Sequence, residues 1–222
     1  MLCLEHERHF EVAADLRKEL VEHLSNWISN HSESPYNYKV RDVVFRLAGT
    51  GSVGTKRYLF LLENKRKKGS YLIVDMKQAL PSALAPVLSV TQPKWSSEAE
   101  RVVFAQQLGQ HMPCALLSST VFRGEGYVMK EMQPAEDKIK FKLIQDQYRD
   151  IYQVIDDMAT LTASSHLRSA GRKGSANADE LIAFAARTDW REPLAHYARV
   201  YANRVKSDFY LYKSAYTAGL FK

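Results

Sequence analysis

The 222-residue sequence predicts an α+β protein: a small lobe of five antiparallel strands with one helix, followed by a mostly helical region. Three observations carry that expectation. Short β-branched and aromatic runs, separated by turn residues, recur between residues 43 and 132. A serine-led segment with helical spacing interrupts them. Beyond Pro134 the spacing of apolar residues becomes helical.

Taken in order, Phe10, Ala13, Leu16, Leu20, Leu24 and Ile28 recur every three or four residues, which predicts an amphipathic helix from about Glu7 to Ile28. NHSESPYNY, with Pro35, is a connector. Val43–Leu47, Arg57–Leu62 and Tyr71–Lys77 read as three strands of a meander, the last two joined by KRKKGS. Ser96 to Gln110 is the helix, with Ser96 or Ser97 as its cap and Glu98 and Glu100 in the first turn. Ala115–Phe122 and Tyr127–Met132 form a hairpin turning at Arg123–Gly126. Helices are expected over Phe141–His166, Asn177–Ala186 and Glu192 to about Ala218. The ranges divide as 1–40, an N-terminal helix and connector; 41–134, the small lobe; and 135–222, the helical region.

Hydrophobic content of 45% and charged content of 25% argue against wholesale disorder, and the length permits a real core. A net charge of +6 favours an anionic partner. Two cysteines, Cys3 and Cys114, outside any CxxC, point to a reducing compartment. MLCLEHERHF has no signal-peptide layout, and no apolar run approaches the roughly 20 residues of a membrane helix. A cytoplasmic chain with no membrane partner is expected.

Gly49-Thr50-Gly51-Ser52-Val53-Gly54 is a GxGxxG. A dinucleotide fold would open a helix after it, yet Thr55–Leu62 is strand-like; a P-loop would end in Gly-Lys-Ser/Thr. A glycine loop between two antiparallel strands, with Lys77 closing the third, is the protein-kinase arrangement. There the glycines cover phosphates, Lys77 contacts them, and a carboxylate on the next helix, Glu98 or Glu100, orients Lys77. The bland alternatives are a wide turn, an ordinary strand-end lysine and two dipole-facing glutamates. Lys65–Lys68 reads as a solvated hairpin tip, which makes a nucleic-acid partner unfavoured.

Six stretches resemble the bacterial family named domain of unknown function 2252: FRLAGTGSVGTKRYLFLLE, DMKQALPSALAP, EAERVVFAQQL, YVMKEMQPAEDKI, HLRSAGRKGSANADELIAF and YARVYANRVKSDFYLY. The resemblance implies a fold similar to kinases and aminoglycoside phosphotransferases. It implies ATP with Mg2+ as cofactors, and a nucleotide or other phosphorylated small molecule as partner. Gly49, Thr50, Gly51, Ser52, Gly54, Lys77, Glu98 or Glu100, and the strand end Glu131–Met132 would form the nucleotide site. Family members also carry Gly-Asp-x-His-x-x-Asn and an Asp-rich segment ahead of the loop, and neither occurs in this chain. The expectation is therefore a C-terminal portion without its catalytic loop, inactive by itself. A non-catalytic scaffold is the alternative. The absent N-terminal region or a homodimer would cover apolar surface.

Other constellations read as structure. His6 and His9 are three apart, one short of HExxH, and suit a helix start. His166 is a C-terminal helix cap. Asp156 and Asp157 stand on a helix remote in sequence from the loop, and the tyrosines at 197, 201, 212 and 216 form a core stripe.

Overall fold

A computed structural model describes residue 2 and residues 8–32, 34–134 and 138–221. His6, Glu7 and Cys3 lie outside the described residues. The chain forms two compact units, 1–169 and 170–222.

In the first unit the strands are β1 (His9–Phe10), β2 (Tyr38–Arg46), β3 (Arg57–Asn64), β4 (Tyr71–Gln78), β5 (Ser118–Phe122) and β6 (Glu125–Glu131). They make one antiparallel sheet in the order β1-β2-β3-β4-β6-β5. The helices are α1 (Ala14–Asn30), α2 (Glu98–Gly109), the single turn α3 (Phe141–Ile144) and α4 (Tyr148–Ser169).

Alternation along the strands gives the sheet two different faces. On one, Val43, Tyr58, Phe60, Leu62, Val74, Met76, Tyr127 and Met129 pack against Leu20, Leu24, Trp27 and Ile28 of α1. On the other, Val128 and Leu117 meet Ala99 and Val103 of α2. Gly126 permits that second contact, since a Cβ there would lie 3.2 Å from Ala99 Cβ. Further along, a Cβ at Gly109 would fall 2.5 Å from Ser165 Oγ, so α2 and α4 also approach through a glycine.

Helix α2 begins as its sequence suggests. Ser97 is the cap, accepting from the Glu100 N–H at 3.1 Å, while the Glu100 carboxylate accepts from the Ser96 N–H at 2.7 Å. The β5–β6 turn is tighter than expected: Arg123 (φ 50°) and Gly124 (φ 77°) are its two central residues, and Glu125 and Gly126 already belong to β6.

Three expectations are corrected. The sheet has six strands and not five, because His9–Phe10 pairs with Phe45–Arg46 and brings the Phe10 ring, tilted, to 6.4 Å from that of Phe45. That extended pairing uses the open edge of β2, so α1 starts at Ala14 instead of Glu7. The helix expected over Phe141–His166 divides at 145–147, where the Gln147 N–H donates to Ile144 O at 2.9 Å, an i→i−3 closure.

The second unit holds α5 (Ala178–Ala186) and α6 (Arg191–Thr217). Asn177 and Glu180 close a reciprocal capping box at the start of α5. The tyrosine stripe of α6 is not core: Tyr197, Tyr201, Tyr212 and Tyr216 are all exposed. They stack in pairs along the helix, 197 on 201 at 5.5 Å and 212 on 216 at 6.2 Å.

Two measurements check the α1 face. Leu24→Ala is expected to cost about 2–5 kcal/mol in urea unfolding, against under about 0.5 for the exposed Leu161→Ala. The second concerns His23, whose ring packs on Phe122 at 5.2 Å with a ring nitrogen 2.9 Å from Thr120 Oγ1. Burial pushes the imidazole below its ordinary value. Its stabilising contribution is then whole above the unfolded pKa of about 6.5 and lost as pH falls through the lower folded value. His23→Gln should flatten the acid side of the stability profile. An unchanged slope would place the titration elsewhere.

Candidate functional site

Strand β2 ends at Arg46 and β3 begins at Arg57, so the glycine motif does join two antiparallel strands. Its only helical piece is the three-residue 3₁₀ turn Thr50–Ser52. Gly49 (φ +74°) and Gly54 (φ +82°) take the left-handed conformation in which a side chain is strained, whereas Gly51 does not. The Ser52 N–H donates to Gly49 O and the Thr55 hydroxyl to Ser52 O at 2.7 Å, which closes the loop on itself.

Beyond Gly54 the loop is tied down. The Lys56 N–H donates to Gln78 Oε1 at 3.1 Å, and Lys56 Nζ reaches Glu125 Oε1 at 2.7 Å. Tyr127 donates its hydroxyl to the same carboxylate at 2.8 Å. The Lys56 bond, then the Tyr127 bond, hold the Glu125 carboxyl below its usual range; burial, then Glu125, pushes the Tyr127 phenol up.

Beneath the loop, register groups the charges. Asp75 and Lys77 are two apart on β4 and share the face opposite Val74 and Met76. Lys77 stands directly across from Arg57 of β3, and Asp75 directly across from Lys130 of β6. Arg57 turns diagonally to Asp75 and grips both carboxylate oxygens, Nε to Oδ1 at 2.6 Å and Nη2 to Oδ2. The Asp75 side chain is 2% exposed and that of Arg57 18%. Such a pair, desolvated and bidentate, is geometrically well defined.

Two clefts open on this face. The first, of about 740 Å³, is lined by Arg46, Gly49, Ser52, Lys130, Met132 and Lys138 among others. The second, of about 490 Å³, has Gly51, Thr55, Lys77, Lys130, and Val102 and Gln106 of α2. Both are bounded by Arg57, Asp75 and Lys130, so the loop straddles a shared charged wall.

The expected site residues are brought together only in part. The loop glycines and Lys77 lie at the clefts. Neither candidate carboxylate of α2 holds Lys77: Glu98 takes Arg101 at 2.6 Å, and Glu100 takes Ser96. Met132 lines the first cleft, its Sδ accepting from Arg46 Nη1 at 3.8 Å. At the strand end, the Glu131 N–H donates to Ala115 O and the Met132 N–H to Ile73 O. Asp157 bonds Gln153 on the exposed face of α4. Asp75, the one carboxylate among the described lining residues, gives both oxygens to Arg57, and no group of three or more metal-ligating side chains occurs among the described residues.

Arg46, Arg57, Asp75 and Lys130 were not singled out by sequence. Asp75 did carry a signal, as an acidic residue within the apolar strand YLIVDM. Its partner is set by cross-strand register, which spacing along the chain does not reveal.

The profile of a bacterial family described as uncharacterized protein conserved in bacteria, domain of unknown function 2252, matches residues 4–215, and the chain belongs to that family. No curated protein and no solved structure matches it.

Removing one member of the buried pair strands the other. Arg57→Ala is expected to destabilise by about 3–5 kcal/mol in urea unfolding, and the double variant Arg57→Met, Asp75→Leu to recover most of that. A double variant no more stable than the single would show that the two charges do not compensate each other.

Proposed function

We propose that this member of the domain-of-unknown-function-2252 family binds the phosphate groups of a nucleotide, with ATP the first candidate, beneath the loop at 47–56. One observation carries the reading: a loop with left-handed glycines lies over a sheet face that bears Arg57, Lys77 and Lys130. Glycines let backbone approach phosphate closely, and fixed cations favour the anion.

The arrangement is similar to the small lobe of a protein kinase. A glycine loop links the first two strands of a meander, a lysine closes the third, and a helix packs on the lysine's face. It departs from that pattern at the lysine, because no carboxylate of α2 pairs with Lys77. Phosphoryl transfer needs a held lysine, a metal-binding aspartate and a group that orients the acceptor. The groups assembled here contact the donor alone, so the reading is binding without turnover by this chain. A protein-interaction role is the second reading, favoured by the exposed aromatic stripe of α6, which a partner or a second copy would cover.

Calorimetric titration with ATP and Mg2+, beside an ATPase assay, tests this. Lys77→Ala should weaken binding by about 1.5–3 kcal/mol, roughly 10- to 150-fold, while Lys67→Ala at the hairpin tip leaves it unchanged. Magnesium-dependent turnover that vanishes in Lys77→Ala would overturn the binding-only reading. No heat at millimolar ATP would leave the interaction role.

A further inference from the structure

We infer that the site reads a chain of phosphates and is indifferent to the base attached to it, so that its ligand class is the di- or triphosphate group itself. The inference rests on the phosphate-binding reading above and narrows it.

The first ground is the arrangement of charge. Arg57 directly opposite Lys77 places like charges at neighbouring positions of adjacent strands, a pairing that destabilises a sheet. Arg57 relieves it by turning to Asp75, and that leaves Lys77 and Lys130 with no ion-pair partner among the described residues. These two lysines are diagonal neighbours on adjacent strands, Lys77 standing across from Val128 of β6 and Lys130 across from Asp75 of β4. Lys77 faces the second cleft, and Lys130 faces both. A single phosphate would lie in one cleft, whereas consecutive phosphates would run from Lys77 in the second cleft to Lys130, which both clefts share, and on into the first.

The second ground is what a base would meet. Adenine is normally fixed by backbone donors at a strand end, and here the N–H groups of Glu131 and Met132 are already given to Ala115 and Ile73. The wall that the two clefts share is a charged Arg–Asp pair and a lysine, and the apolar Leu80, Pro81, Val102 and Val128 line the second cleft alone. The apolar loop residues Leu47 and Val53 are themselves exposed, Val53 at 71%. Inserting a purine against the Arg57–Asp75 pair would strip water from charged groups without giving them a partner.

The experiment titrates the protein by calorimetry with ATP, GTP, inorganic tripolyphosphate, orthophosphate and adenosine, each at the same ionic strength. Tripolyphosphate and GTP are expected to bind within about tenfold of ATP, orthophosphate more weakly, and adenosine not at all. Lys130→Gln should weaken ATP and tripolyphosphate together by about 10- to 100-fold with an unchanged melting temperature. Lys67→Ala, at the basic hairpin tip, should change neither.

ATP binding more than about a hundredfold tighter than tripolyphosphate, or measurable adenosine binding, would overturn the base-indifferent inference while leaving nucleotide binding intact. An equal loss in Lys67→Ala would overturn it as diffuse surface charge. Failure of every ligand would overturn the phosphate-binding reading itself.

Discussion

Side chains along a strand alternate between its two faces, and on β4 that constraint divides the sheet into an apolar core side and a charged side. Leu72, Val74 and Met76 point into the cluster closed by α1. Asp75 and Lys77 point the other way, into the clefts beneath the glycine loop. A one-residue slip would drive a carboxylate and an ammonium into the apolar core, so the register of β4 with β3 and β6 is firmly specified. The tight Arg123–Gly124 turn sets the neighbouring register of β5 with β6. Fold and candidate site therefore depend on one alternation.

The two faces differ in how they are closed. Helix α1 brings four buried side chains across the β2–β4 core, and that face is dry. Helix α2 brings only Ala99 and Val103 to the buried cluster on the opposite face, at the β6 end. Small residues explain the limited cover: Ala99 against Gly126, and Gly109 against Ser165, let α2 approach β6 and α4 closely at its two ends. The space left between α2, the loop and the sheet is the second cleft. A cavity bounded by a buried ion pair and half-buried lysines keeps its cations partly desolvated, which strengthens their attraction for an anion relative to the fully solvated lysines of the hairpin tip.

Much of this was legible in the sequence. The α+β class, the meander with its glycine loop, the β5–β6 hairpin and the cap of α2 follow from local spacing and turn chemistry, which act over a few residues. What was not legible is what depends on pairing. His9–Phe10 reads as helix by periodicity, and becomes strand because the edge of β2 offers unpaired backbone groups. Glu98 and Glu100 read as partners of Lys77 and instead satisfy Arg101 and Ser96, both nearer in sequence. The Arg57–Asp75 pair, 18 residues apart, follows from β3–β4 register alone. The α6 tyrosines read as core by spacing, yet spacing shows which face is apolar and not what lies against it.

Charged residues on a β4 face and a like-charge pair across β3 and β4 each run against a local preference, and both lie beneath a loop whose Gly49 and Gly54 take a conformation that other residues adopt only with strain. Sequences usually agree with their fold at every level, and departures that cluster mark functional sites. The loop shows how such a cluster is made sound. Glycines weaken order by enlarging the unfolded ensemble, but here the segment after Gly54 is pinned by Lys56 to Gln78 and to Glu125, which Tyr127 braces from within the core. Lys56 is spent on holding the loop in place and Arg57 on Asp75, so the cations of the sheet at the clefts without an ion-pair partner among the described residues are Lys77 and Lys130.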